Sequence, residues 1–429
     1  MIRPPLFALT ARTKVVGRVG DKQTMSIFRF IIGNRRFLGF GLLCTIGANI
    51  GQTFFIALFG NNIRSEFSLS HGDFGAVYAI ATLMSALVII WAGRRIDHID
   101  LRLYSAIVLI GLALAAGALS VANNMIVLIA ALFGLRLFGQ GLLRHTAVVS
   151  MAKYFEETRG RAMSVVSLGY PIGESIFPIM AIAAIAYLGW RDTWGVIALI
   201  ITFALLPLSQ FLLKGHSERH QKYEKEKSEK ERHLEEKNIL RDPHFYIILL
   251  GALMAPFLLT GIFFHQLALA DAKGWDIAWL ASSFPAFAGA TVFSSLLSGP
   301  LVDKHGPGRI LPFFLLPLIA AMAVIALGQH MIWLPIYLAL AGLTTGTSGV
   351  LITASWADTY GTKRLGSVRA ISSSFTVLST AISPLLAGAL LDQGVGFHAL
   401  GVGAMIIAFG ALLGVQIPAQ RLRNTKKTA

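Results

Sequence analysis

Apolar runs of about twenty residues recur along the chain, divided by short polar stretches. Twelve can be marked, at about 37–60, 74–93, 103–122, 125–148, 161–187, 192–212, 244–270, 277–298, 309–328, 332–356, 366–391 and 397–418. Each is long enough to cross roughly 30 Å of hydrocarbon. Backbone in lipid must satisfy its own hydrogen bonds, so runs this long and uninterrupted predict helices and not barrel strands. The expected fold is an all-α membrane protein of twelve transmembrane helices. Composition agrees: the 429 residues are 55% hydrophobic and only 14% charged, with mean hydropathy +0.66, where a soluble chain would carry nearer a quarter charged residues.

The net charge of +15 first suggests nucleic acid, but its placement points elsewhere. With the N-terminus in the cytoplasm, 32 of the 37 Lys and Arg fall on that side, and only Arg64, Arg191 and Lys273 lie opposite. That is the positive-inside pattern, so both termini are expected in the cytoplasm and no nucleic-acid partner is expected. The basic first 24 residues lack a secretory apolar core and cleavage site, and Met25 is a second candidate start. A bacterial inner membrane is the expected location. Cys44 is the single cysteine and lies within the first run, so no disulfide or cysteine-based metal site is expected.

Residues 214–242, KGHSERHQKYEKEKSEKERHLEEKNILRD, carry charges of both signs and almost no apolar residues, which reads as a solvated linker. The expected organisation is a cytoplasmic tail 1–36, a six-helix bundle 37–213, a charged linker 214–243, a second six-helix bundle 244–418 and a basic tail 419–429. The two bundles repeat. Gly93 and Gly299, Asp97 and Asp303, Tyr154 and Tyr360, Gly160 and Gly366, and Pro178 and Pro384 are all 206 residues apart. An even number of spans per bundle gives both the same orientation, so the repeats are parallel.

This pattern resembles the major facilitator superfamily, whose two six-helix halves are parallel repeats around a midplane site. The twice-written loop WAGRRIDHIDLR and LSGPLVDKHGPGR carries the resemblance. The second copy fits the family pattern through Gly299, Asp303, Lys304, Gly306 and Arg309. The first keeps Gly93, Asp97 and Arg102 but has Asp100 where the family usually has Gly. The resemblance implies that these loops clasp helix ends on the cytoplasmic side and gate the transport switch. Glycine permits close helix approach, and the Asp can accept bonds from a helix N-terminus or an Arg. On the fourth run, GLRLFGQGLLRHT places Arg136 where the family often has Arg before a Gln-Gly stretch. The fifth run, SVVSLGYPIGESIFP, has Gly169 and Gly173 but lacks the exporter ending, and KYFEETRGRAMSVVSLGYPIGE is similar to organic-anion and monocarboxylate branches.

Among ionisable groups only Arg136, Arg144 and Glu174 lie deep within the runs. A charge at the bilayer centre costs about 2.5–3.5 kcal/mol on insertion scales, so such residues face a cavity or a partner. Arg136, Gln140 and Arg144 share a helix face. Glu174 sits mid-way along the next helix, where it is expected to meet Arg136 and to serve as the proton-linked carboxylate. A fixed structural ion pair is the alternative. Arg144 divides equally between snorkelling, an inner gate and anion binding, and His265 reads first as hydrogen-bonded structure. Asn49, Gln52, Thr53, Tyr170, Thr344, Thr345, Thr347, Ser374 and Thr376 complete a candidate pocket, although each alone reads better as a helix–helix hydrogen bond. Arg136, Gln140, Asn49, Gln52, Tyr170 and Thr344 are the expected substrate contacts. The surplus of positive charge favours an anion.

No P-loop, Gly-x-Ser-x-Gly or His-Glu-x-x-His pattern is present, so neither an ATP-driven pump nor an enzyme is expected, and no cofactor or metal. The expected protein is a proton-coupled secondary transporter of a small organic anion, with a monomer favoured. A drug or metabolite exporter and a non-transporting sensor or scaffold remain as alternatives.

Overall fold

The computed structural model of the chain describes residues 27–155, 158–216, 241–361, 364–420 and 422, and every regular element among them is helical. The linker 217–240 and most of both tails lie outside the described residues. Contacts divide the chain into Met1–Arg35 and Arg36–Ala429. In the first unit the described part is one short helix, Ile27–Gly33.

The remainder is a series of apolar helices. The first is broken, with α1a (Arg35–Gly51) and α1b (Thr53–Phe67) meeting at 47°. Then follow α2 (His71–Arg94), α3 (Leu101–Ser120), α4 (Met125–Tyr154), α5 (Arg159–Leu188), α6 (Trp190–Leu212), α7 (Pro243–Phe264) and α8 (Ile277–His305). A shorter apolar helix, α9 (Leu316–Leu327), precedes α10 (Trp333–Tyr360), α11 (Ser367–Asp392) and α12 (Phe397–Gln420). Leu87, Leu114, Phe203 and Leu296 are 71%, 69%, 75% and 72% exposed. Large apolar side chains that open would be a liability in water, and they suit contact with lipid.

Three expected helices differ from their runs. The first does not continue through its run: Gln52 is extended (φ −78°, ψ 150°), and the helix then carries on to Phe67. The seventh stops at Phe264 and resumes over Gln266–Lys273. The ninth is confined to Leu316–Leu327, after turns and the single turn Pro307–Ile310. Pro312 and Pro317 supply no amide hydrogen to extend a helix through that stretch.

The 206-residue register extends to helix starts. Helix α2 begins at His71 and α8 at Ile277; α5 begins at Arg159, and the helical turn that leads into α11 begins at Leu365. The first six spans meet the last six where α2 packs on α11, α5 on α8 and α1b on α7. Among the described residues, the hydrogen bonds between these two sets all lie toward the end poor in Lys and Arg. There Asp392 accepts from the backbone N–H groups of His71 (2.9 Å) and Gly72 (2.7 Å). Gln266 donates to the Phe54 carbonyl at 2.8 Å, and Asn61 to Asp271 at 3.3 Å. Phe74 and Tyr78 each stand 4.7 Å from the Phe264 ring, and Phe54 stands 5.6 Å from Phe284. Backbones touch as well. A Cβ on Gly75 would lie 2.7 Å from the Pro384 carbonyl oxygen, and one on Gly388 2.4 Å from that of His71.

Candidate functional site

The break in the first helix determines what surrounds Arg136. Residues Asn49–Gly51 tighten into a 3₁₀ turn, and the extended Gln52 interrupts the helical ladder. Carbonyls at such an end need partners from outside the helix. Arg136, only 3% exposed, donates from Nη1 to the Gly51 carbonyl at 3.0 Å and from Nε to Thr82 Oγ1 at 3.1 Å. Its guanidinium carbon sits 5.0 Å from the centre of the Tyr78 ring. The Tyr78 hydroxyl in turn pairs with Thr53 Oγ1 at 2.6 Å. Arg136 thereby ties α4 to both α1 and α2. Helix α4 is itself irregular here, with a π-helical stretch over Leu135–Leu143. A Cβ on Gly51 would lie 2.2 Å from the Leu135 carbonyl oxygen, so the two irregular segments cross backbone on backbone. Irregular backbone at membrane depth persists where protein encloses it, and π-bulges often mark functional sites. Gln52 and Gln140 are half-buried in these two segments.

The expected pairing of Arg136 with Glu174 does not form. Helix α1 packs against both α4 and α5 at this level, so neighbours in sequence are not neighbours here. Gly169 and Gly173 bring α5 onto α1a, where their added Cβ atoms would lie 2.0 Å from Thr45 Oγ1 and 2.2 Å from Asn49 Nδ2. Asn49, fully buried, donates to the carbonyls of Thr45 (3.1 Å) and Gly169 (3.4 Å). It is placed as a helix tie between α1a and α5. Tyr170 and Glu174, one turn apart on α5, are half-buried. The guanidinium of exposed Arg144 lies 5.4 Å from the Tyr170 ring, and Arg144 is the cation whose field reaches Glu174. The charged group on this side is therefore Arg144, Tyr170 and Glu174.

A cavity of about 370 Å³ lies among α7, α8, α10 and α11. Thr345 and Ser348 of α10 and Ser372, Ser373 and Thr376 of α11 line it with hydroxyls, beside Phe263, Phe287 and Trp356. Thr344 is not among them: it is fully buried and turns its hydroxyl to the Leu340 carbonyl of its own helix at 3.4 Å. One residue further round α10, Thr345 reaches the cavity. Thr347 meets Ser298 of α8 at 3.3 Å, and exposed Ser374 bonds back to Ala370 at 3.2 Å. Arg369 also lines the cavity, although by charge count it belongs with the 32 bases of the cytoplasmic side. The spacing Arg369, Ser372, Ser373, Thr376 is the signal that finds it, since these positions fall on one helical face. His265 donates from Nε2 to the Pro384 carbonyl at 2.9 Å, as the tautomer protonated at that nitrogen.

The repeated loops occupy the basic end. In the first, the Gly93 carbonyl meets the His145 ring at 3.1 Å. Asp97 closes a 3₁₀ turn, Arg95–Asp97, and its side chain lies outside the described residues. Asp100, the departure from the family pattern, caps α3 by accepting from the Arg102 N–H at 2.8 Å. In the second, Gly306 ends α8 at φ +77°, a conformation open to glycine and costly to other residues. Gly299 meets nothing that a Cβ would touch, while Asp303 and Arg309 are exposed.

Apolar spans in two registers, enclosing a few charged and hydroxylic side chains, define a multi-pass membrane protein of the transporter kind. The Major Facilitator Superfamily model matches residues 41–336 and 277–428, and the chain belongs to that family of membrane transporters. A curated relative, the MFS transporter asaE of Aspergillus flavus, is 26% identical over 200 residues, which span 46% of this chain and 41% of that relative. Among solved structures, a bacterial homolog of the human lysosomal transporter Spinster superposes in its inward-facing, unoccupied form with TM-score 0.65, at 14% identity, covering 91% of this chain and 98% of that one. The inward-facing, occupied form gives TM-score 0.63 at 14% identity, covering 92% and 97%.

Proposed function

We propose that the protein is a secondary active transporter that moves a small organic anion across a bacterial inner membrane by alternating access, coupled to protons through Glu174. The observation that carries this reading is the charge inventory around the spans. Arg144 beside Tyr170 and Arg369 in the cavity are both exposed within the helices; Glu174 is the carboxylate that the field of Arg144 reaches, and the cavity lining holds no Asp or Glu. A positive surplus at a membrane-embedded site selects anions, and a carboxyl within reach of one cation offers a place for a proton to compete with substrate. On this reading the bundles 37–213 and 244–418 rock about the site as a monomer. The basic end is cytoplasmic, and the contacts around Asp392 close the opposite face.

The test is uptake of labelled mono- and dicarboxylates into proteoliposomes, with and without an inward proton gradient. Gradient-driven accumulation of one acid, abolished by Arg144→Ala and uncoupled from the gradient by Glu174→Gln, is the expected result. If no acid moves and both variants match wild type, the anion reading falls and export becomes the leading alternative.

A further inference from the structure

We infer that Arg369 and the hydroxyl stripe of α11 form the seat for the carboxylate of the transported molecule, and that this molecule is a monoanion with an apolar or aromatic body. The inference rests on the transporter reading above and names its substrate class. Arg369 has no hydrogen-bond or ion-pair partner among the described residues and is exposed into the cavity it lines. Arg136, by contrast, is buried and held by Gly51, Thr82 and Tyr78. A guanidinium presents a planar fork of donors that matches a carboxylate in two parallel hydrogen bonds. Ser372, Ser373 and Thr376 continue from Arg369 along the same face; Ser372 and Ser373 offer further donors, while Thr376 gives its hydrogen to the Ser372 carbonyl at 3.0 Å. Across the cavity, Ser348 Oγ is buried with no partner among the described residues.

Charge sign and number follow from the lining. It contains one cation, Arg369, and no Asp or Glu. A second carboxylate on the ligand would face Phe263, Phe287, Ile352 and Trp356, an apolar wall that leaves a charge unsolvated and unpaired. A neutral ligand would leave the guanidinium unmatched. Size follows from the volume: about 370 Å³ is near the lower end of small-molecule sites, roughly 300–1,000 Å³. That suits a body of one or two rings or a short aliphatic chain.

Binding is measured on the purified full chain in detergent by isothermal calorimetry. Three probes share one ring: benzoate, its neutral amide benzamide, and the dianion terephthalate. Benzoate is expected to bind saturably, with the other two at least about tenfold weaker. Arg369→Gln should weaken benzoate by about tenfold or more. Gly349→Leu is a second, independent probe. Gly349 lines the cavity, and a Cβ there meets nothing within 4 Å, so the larger side chain fills ligand space without a clash at its root. It should abolish benzoate binding. The inference is overturned if wild type binds none of the three, if benzamide or terephthalate binds as well as benzoate, or if both cavity variants bind benzoate like wild type. Uptake separates the two readings. Benzoate binding that needs Arg369, without gradient-driven uptake of any acid, removes the transporter reading alone. Gradient-driven acid uptake undiminished in Arg369→Gln removes the seat alone.

Discussion

Arg136 has two hydrogen-bond acceptors and one ring face, all from helices other than its own. Removing it leaves the Gly51 carbonyl buried beside a broken helix end. Arg136→Ala is therefore expected to lower stability by about 1–3 kcal/mol, seen as an earlier thermal unfolding transition in detergent. Arg136→Lys should recover little of it, because one ammonium cannot reproduce the fork that reaches both Gly51 and Thr82. A variant with wild-type melting that loses only uptake would restore Arg136 to the substrate. Asp242, ahead of α7, behaves differently. Burial raises its carboxyl, but the His244 backbone N–H at 2.9 Å, the Tyr360 hydroxyl at 2.9 Å and the His244 ring outweigh that and hold it below its usual range. Its contribution is then complete above the ordinary carboxylate value of about 4 and is lost as pH falls through the lowered one. Melting temperature should drop on acidification less steeply in Asp242→Asn than in wild type, and parallel curves would count against a stabilising role for the Asp242 contacts with His244 and Tyr360. The depth of Arg136 could be read from hydropathy. Its partners could not, because the extended residue at Gln52 lies inside an apolar run and leaves no trace in that pattern.

Elements were more legible than partners. The 206-residue offset between repeated residues reappears in the starts of α2 and α8, since the loops that end one helix begin the next. The irregular segments were hidden for a physical reason: a 3₁₀ turn and a π-helical stretch consume the same apolar residues as an α-helix. Their crossing at Gly51 and Gly139 leaves no room, as a Cβ on Gly139 would lie 2.9 Å from Gly51 Cα. Gly139→Val should thus sharply reduce the yield of monodisperse protein on size-exclusion chromatography, whereas Gly349→Val, in open space, should leave it unchanged. Equal yields would mean that the two backbones separate easily. Arg369 was missed because a base in the opening turns of a helix looks like part of the loop before it, until its hydroxyl neighbours are counted around the helix.

For the whole molecule, the decisive feature is the joint between α2 and α11. Asp392 caps the N-terminus of α2 from the other set of spans, where the helix dipole favours negative charge. Asp392→Asn should shift the population away from the closed joint. Cysteines at Asn61 and Asp271, in a Cys44→Ser background, report it through disulfide yield: high while Asp392 is kept, lower once Asp392→Asn is added. An unchanged yield would mean that the aromatic contacts of Phe74, Tyr78 and Phe264 hold the joint alone. Sidedness is checked with Gly394→Cys and Gly215→Cys, the former expected to react with an impermeant maleimide on intact cells and the latter only after lysis.

The setting of Arg136 also bears on how the chain is made. Gly51, Tyr78 and Thr82 all precede Arg136, so every group that neutralises the burden of its charge has been synthesised before it emerges from the ribosome. The fourth span can leave the insertion machinery as a settled helix only if the first two are still close by. Early assembly of the first four spans, ahead of any of the last six, is the biosynthetic order that this buried guanidinium imposes.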